Sequence, residues 1–193
     1  MANTFAIHSV GASLATYLRN SYPSALSAVH PCEFKLLSSM EMGNAEDRTT
    51  TLSLYLYRIT INEHVRNVRG TNDLSVAETP LSVDLHFLLT VWADNALAEQ
   101  TILTWAMRQL HQRPVLDRST LSPDGGWESS DVVHVIPAEL SHEDLMRVWE
   151  ALEPSYRLSL SYIARVVRID PEPSPSGMPV VVRNFAMTKE TAQ

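Results

Sequence analysis

A single cysteine, Cys32, stands among 193 residues. One thiol excludes an intramolecular disulfide and a cysteine metal cluster; it fits a reducing compartment without proving one. Positive charge is scarce too, with 15 Lys and Arg against 22 Asp and Glu for a formal charge of −7. That balance argues against nucleic acid as a partner, because phosphate binding needs a basic surface. Long apolar runs are missing. No stretch approaches the ~20 residues of a bilayer span, and no basic region followed by an apolar block marks a secretory signal. There is no G-x-x-x-x-G-K-[ST] loop, no G-x-G-x-x-G, no G-x-S-x-G elbow and no H-E-x-x-H helix. No membrane span, metal or cofactor is expected.

What the chain does have is apolar content of 45%, enough to bury one proper core in one domain. The clearest stretch is 140–170. Ser141 reads as an N-cap with Asp144 completing a capping box, and Leu140 and Leu145 form a hydrophobic staple. Leu145, Val148, Trp149 and Leu152 follow the stripe of a helix that Pro154 ends. A strand follows over 156–169. Tyr156, Leu158, Leu160, Tyr162, Ala164 and Val166 share one side, and Arg157, Ser159, Ser161 and Arg165 the other. It reads as a central core strand, and at roughly 3.3 Å per residue it reaches about 45 Å, long enough for one end to bend, bulge or project towards a neighbour.

Upstream, Ile7, Val10, Gly11, Leu14, Ala15 and Leu18 predict a first helix, capped by Asn3 or Thr4 and stopped by Asn20-Ser21-Tyr22-Pro23. A weaker strand is expected within 31–39, then a polar loop over 40–50. The strand at 51–62 places Leu52, Leu54 and Leu56 on one face and Tyr55, Tyr57, Ile59 and Ile61 on the other. Apolar character on both faces suits the inside of a sheet or the underside of a partner subunit. Residues 64–80 have no period and read as a long connection. A second strong strand begins at Leu81, alternating Val83, Leu85, Phe87, Leu89 and Val91 with Asp84, His86, Leu88, Thr90 and Trp92. Asp94 or Asn95 then caps a helix that buries Ala98, Ile102, Leu103, Ala106, Met107 and Leu110. After a turn at Ser122-Pro123-Asp124-Gly125-Gly126 comes a short strand at 132–136. A proline-rich spacer, PEPSPSGMP at 171–179, leads to a possible edge strand at 180–187. The expected fold is α+β: a single mixed, mostly antiparallel sheet of five or six strands with about three helices packed against it. It forms one domain over 1–170, with a spacer and C-terminal arm over 171–193.

Candidate chemistry is thin. Asp84 and His86 point the same way from one strand, with His134 as a third member, but a hydrolase needs a recruited serine and a deep polar pocket. A half-exposed strand face accounts for them more simply. Glu143 and Asp144 fit helix capping. Trp92, Trp105, Trp127 and Trp149 fall on separate elements as core or interface fillers. The stretch 58–69 is locally basic, with Arg58, His64, Arg66 and Arg69 against Glu63 alone. It reads either as a solvated loop or as a docking surface, where the planar arginine fork makes several directed bonds. The partner-contact candidates are Arg58, Asn62, Arg66, Asn67 and Arg69, together with Val180, Val181, Val182 and Arg183.

Four blocks carry a resemblance: LYRITINEHVRN at 56–67, LSVDLHFLLTVWADNALAEQTILTWAMRQLHQRPVL at 81–116, LSHEDLMRVWEAL at 140–152 and YRLSLSYIARVVRID at 156–170. Taken together, and with the first helix, they resemble the tail-terminator (cap) proteins of extracellular contractile injection systems. These are phage-tail-like particles of the antifeeding-prophage and virulence-cassette type. The resemblance implies a structural protein without enzyme activity. It implies a ring of the chain with itself, typically a hexamer, seated on the inner tube protein and the last layer of sheath protein. Such a ring stops polymerisation and anchors the sheath. It also implies cytoplasmic assembly followed by residence in the particle, which is extracellular where the particle is released. The 58–69 block would lie at a subunit or tube–sheath contact. A sheath arm would add to an exposed strand edge, with the strand ending at Asp170 and the 180–187 segment as candidates. The alternatives are a terminator of a related contractile phage tail or intracellular injection system, and a small enzyme or ligand-binding domain built on Asp84 and His86.

Overall fold

The computed structural model describes residues 2–43, 49–62, 80–152 and 155–170. Helix α1 (Ala6–Ser21) opens where Asn3 turns the chain: its Oδ1 accepts the Phe5 N–H at 2.8 Å, and its carbonyl accepts the Ala6 N–H. Pro23 separates α1 from the short α2 (Ser24–Val29). Strand β1 (Glu33–Leu37), helix α3 (Ser39–Gly43) and strands β2 (Thr51–Ile61) and β3 (Leu81–Trp92) follow. Helix α4 (Ala96–Gln112) begins at Asn95, whose side chain accepts the Ala98 N–H at 2.9 Å. The chain continues through β4 (Val115–Leu116), a 3-10 turn (Pro123–Gly125), β5 (Val133–Pro137), α5 (His142–Leu152) and β6 (Ser159–Ile169). Ser141 Oγ accepts the Asp144 N–H and donates to its carboxylate, so the expected cap on α5 forms.

Six strands make one sheet in the order β1-β2-β3-β6-β5-β4. Only β1 joins in parallel, beside β2; the other neighbours are antiparallel. The mixed, mostly antiparallel α+β fold is therefore as the sequence predicts, with α1, α4 and α5 as the three long helices. Helices α1 and α4 cover one face over Leu52, Leu54, Leu85, Phe87 and Leu89. Helices α3 and α5 cover part of the other face, over Leu37, Leu88 and Trp92. Three hydrogen bonds lock α1 to the 3-10 turn and its flanks, and a fourth within α1 links them. Trp127 Nε1 donates to Ser9 Oγ, Ser9 Oγ to the Ser122 carbonyl, the Ser122 N–H to Ser13 Oγ, and Ser13 Oγ to the Ser9 carbonyl.

Three local expectations need correction. The polar loop at 40–50 contains α3, started by a second capping box in which Ser38 and Glu41 bond each other's backbone N–H groups. In β2 the register slips between Leu56 and Arg58, so Ile59 and Ile61 pair opposite Leu85 and Val83. That places them on the face of Leu52 and Leu54 rather than with Tyr55 and Tyr57. In α4, Met107 is exposed and Trp105 is buried instead, because the helix turns toward Tyr22 and Phe34, which meet the Trp105 ring edge-on. By contrast, β6 is the central strand that its sequence suggests, since residues 162–165 pair with β5 on one side and β3 on the other.

Candidate functional site

Strand lengths shape one end of the sheet. β1 pairs with β2 only from Thr51 to Tyr55, and β5 with β6 only from Tyr162 to Arg165. Beyond those points β2, β3 and β6 run on as a tongue of three strands. Its α1/α4-side face carries Ile59, Ile61 and Leu81, exposed by 47%, 64% and 48%. These are large apolar groups beyond the reach of any described helix.

The other face of the tongue is polar and internally bonded. Thr60 Oγ1 and His86 Nε2 lie 3.0 Å apart. Asn62 Nδ2 donates to both carboxylate oxygens of Asp84, at 3.1 and 3.3 Å. Arg165 Nε stands 3.6 Å from Asp84, whose side chain is only 13% exposed. Tyr57 closes the row, with its hydroxyl 2.8 Å from Ser161 Oγ and its ring edge-on to His86 at 5.9 Å. Burial holds the His86 imidazole below its ordinary value of 6.5; the Arg58 charge adds to this and Asp84 opposes it. The ring is therefore neutral at pH 7.

The structure brings Arg58 and Asn62 onto this tongue. Arg58 is exposed, whereas Asn62 is buried and spends its amide on Asp84. Arg66, Asn67, Arg69, Val180, Val181, Val182 and Arg183 lie outside the described residues. Asp84 and His86 do share a face, and His134 stands on it two strands away, opposite Arg165 in register. The backbone around His86 is committed to its pairs with Arg58 and Ile163, which leaves no pair of N–H donors aimed at a reacting oxygen. A hollow of about 660 Å³ opens between α2 and α4, and none of its lining residues, such as Leu26, Leu97 and Trp105, belongs to the polar cluster. Among the described residues no three His, Cys, Asp or Glu converge as metal ligands, and no helix is long and apolar enough to cross a membrane.

Sequence reasoning missed the open tongue itself. The available signal was the mismatch between a strand predicted at 51–62 and the much shorter one within 31–39.

Set beside known proteins, the chain matches the family of the Pvc16 N-terminal domain over residues 9–183. Its fold is similar to that of the sheath/tube terminator of an extracellular contractile injection system, PVC, solved in the extended state. The TM-score is 0.56 at 17% identity, over 96% of this chain and 64% of that one. It also matches the tube-terminating cap of the anti-feeding prophage, with a TM-score of 0.47 at 17% identity over 72% of this chain and 50% of that one. No curated protein matches. The chain thus spans less than two thirds of the length of either solved protein.

Proposed function

The chain belongs to the Pvc16 N-terminal domain family, and from that membership we propose that it caps a contractile injection particle. It terminates the inner tube and anchors the last sheath layer, acting as a ring of identical copies, a hexamer. The family match over 9–183 carries this reading, and the shared fold with a PVC sheath/tube terminator supports it. The work is mechanical: the protein turns over no substrate and holds no cofactor. It assembles in the cytoplasm and then resides in the particle.

A cap has two physical tasks. It must bind the last layer of a polymer, and it must not offer that layer's own template to the next one. Repeated head-to-tail contacts closed by rotation supply the ring itself, and its two axial faces, which differ, then bind the last layer on one side and offer no template on the other. The tongue fits such a role. Its polar face is already neutralised internally by Asn62, Asp84 and Arg165, so a partner can cover it without stranding a buried charge. In this reading Arg58, Arg66, Asn67 and Arg69 make directed bonds to tube, sheath or a neighbouring copy, and Asn62 holds the strand ends in shape for them.

Microscopy of the full chain mixed with tube and sheath protein tests the proposal. Rings at tube ends and tubes of uniform length are expected. A monomer that leaves tube growth unchanged would overturn it. Arg58→Glu should bind tube ends at least about tenfold more weakly at unchanged thermal stability, since exposed substitutions away from packing features stay within about 0.5 kcal/mol.

A further inference from the structure

Two apolar features have no use within one chain. The first is the tongue, where β2 overhangs β1 past Tyr55 and Ile59, Ile61 and Leu81 stand exposed together on the α1/α4-side face. The second is the hollow of about 660 Å³ between α2 and α4. Leu97, Thr101, Thr104, Trp105 and Arg108 line it from α4, at the spacing of a single helix face. Leu26 lines it from α2; Trp105 is buried there, whereas Leu97 is 70% exposed. The two features lie at opposite ends of the sheet. β3 starts on the tongue at Leu81 and ends at Trp92, which pairs with Thr51, and Thr51 pairs with Glu33 at the start of β1. Helix α4 begins just after Trp92, and α2 ends just before Glu33. The length of β3 keeps tongue and hollow about 37 Å apart at ~3.4 Å per residue. A paired sheet does not fold back over that distance, so a chain cannot seat its tongue in its own hollow.

We propose that the apolar face of the tongue, at Ile59, Ile61 and Leu81, docks in the α2/α4 hollow of a second copy of the chain. An apolar projection and a hollow on different surfaces of one molecule make a head-to-tail contact, which closes into a ring where the rotation permits. Docking takes Ile59, Ile61 and Leu81 of one copy and Leu97 of the next out of water together. Every copy then fills one hollow and has its own filled, so no apolar patch of this kind is left over. Three side chains bury far less than the ~800 Å² per partner of a stable pair. A single contact is therefore weak, and copies already held side by side on a tube end gain most from it. The occupant rests on the ring reading; the separation of tongue and hollow does not. The polar face of the tongue, with Arg58, stays available to the layer beneath the ring.

Cysteine trapping in the full chain decides the matter. On a Cys32→Ser background, copies bearing Ile61→Cys are mixed with differently tagged copies bearing Leu97→Cys, in the presence of tube and sheath protein. Disulfides between the two kinds of copy are expected at least tenfold above those formed when the second cysteine replaces Met40, which is 79% exposed and does not line the hollow. Equal yields at Leu97 and Met40, no disulfide at either, or disulfides chiefly between two Ile61→Cys copies would overturn the proposal; the last result would mean that tongues pack on each other. Ile61→Asp should reduce ring formation on tube ends at least tenfold without changing thermal unfolding. If that variant still closes rings, the tongue–hollow contact is wrong while the capping function survives. An unaltered chain that forms no rings would remove the capping reading itself.

Discussion

Under α1 and α4, β3 presents an unbroken apolar row of Val83, Leu85, Phe87, Leu89 and Val91, each no more than 3% exposed. On its other face the same strand carries Asp84 and His86 before it reaches Leu88 and Trp92, and only that last part lies beneath α3 and α5. From Val83 to Val91 the first face is complete within one chain, and only its end at Leu81 is exposed. The second is half covered, and its uncovered half is saturated with its own hydrogen bonds. The difference separates a surface built for stability from one that can stay in water until something lies against it. It also concentrates the exposed chemistry at the narrow end of the sheet.

The largest effect should come from the covered face. Phe87→Ala removes a ring that is 1% exposed and should cost about 3–5 kcal/mol in denaturant unfolding. Ile163→Ala, on the partly covered face one strand away, should cost far less, and equal losses would erase the contrast between the faces. Gly125→Ala is next. Its added methyl would collide with the Trp127 indole nitrogen and lie 2.8 Å from Ser9 Oγ, so the lock between α1 and the 3-10 turn must shift. A loss of about 1–3 kcal/mol is expected.

A pair of tryptophans sharpens the comparison within the second face. Trp92 and Trp149 meet edge-to-face at 5.9 Å. Trp92 Nε1 donates to Ser53 Oγ, whereas Trp149 Nε1 is buried without a partner among the described residues. Trp92→Phe should therefore cost about 1 kcal/mol more than Trp149→Phe, because only the first strands an acceptor while the second removes an unpaired donor. The smallest effect is titration. The folded state holds the His86 pKa below 6.5, so at lower pH the unfolded chain binds a proton that the folded chain refuses. Stability is full above pH 6.5 and falls as the pH drops below it. His86→Gln should flatten that part of the pH–stability curve.

Much of this was readable from residue order, because caps and stripes are local. Asn95 and Ser141 cap the helices they were expected to cap, and Leu145, Val148, Trp149 and Leu152 pack as their spacing requires. The Ser38–Glu41 capping box was equally legible, but a polar setting hid it. The slip at Leu56/Arg58 was not. Both faces of β2 are apolar there, so a period of two gives the same answer on either side of a bulge. Met107 and Trp105 exchanged places because a helix pattern fixes a stripe only to within a neighbouring position, and Tyr22 and Phe34 decide the rest. The central place of β6 was legible from its length and apolar row, whereas the parallel pairing of β1 and the overhang of β2 depend on how distant segments align, which no local pattern encodes. Arg58 and Asn62, expected at a partner contact, lie on the tongue, and the apolar edge beside them carried no local signal.

The position of β6 has a consequence for biosynthesis. It is the last described strand to leave the ribosome, yet it sits between β3 and β5 and, among the described strands, alone joins β1-β2-β3 to β5-β4 by backbone pairing. Until residue 159 has emerged, the described sheet exists as two ladders, each with a raw hydrogen-bonding margin. Closure is therefore late and non-local, which slows folding. A chain broken off earlier is not a smaller version of the domain but two sticky halves, for chaperones and proteases to remove.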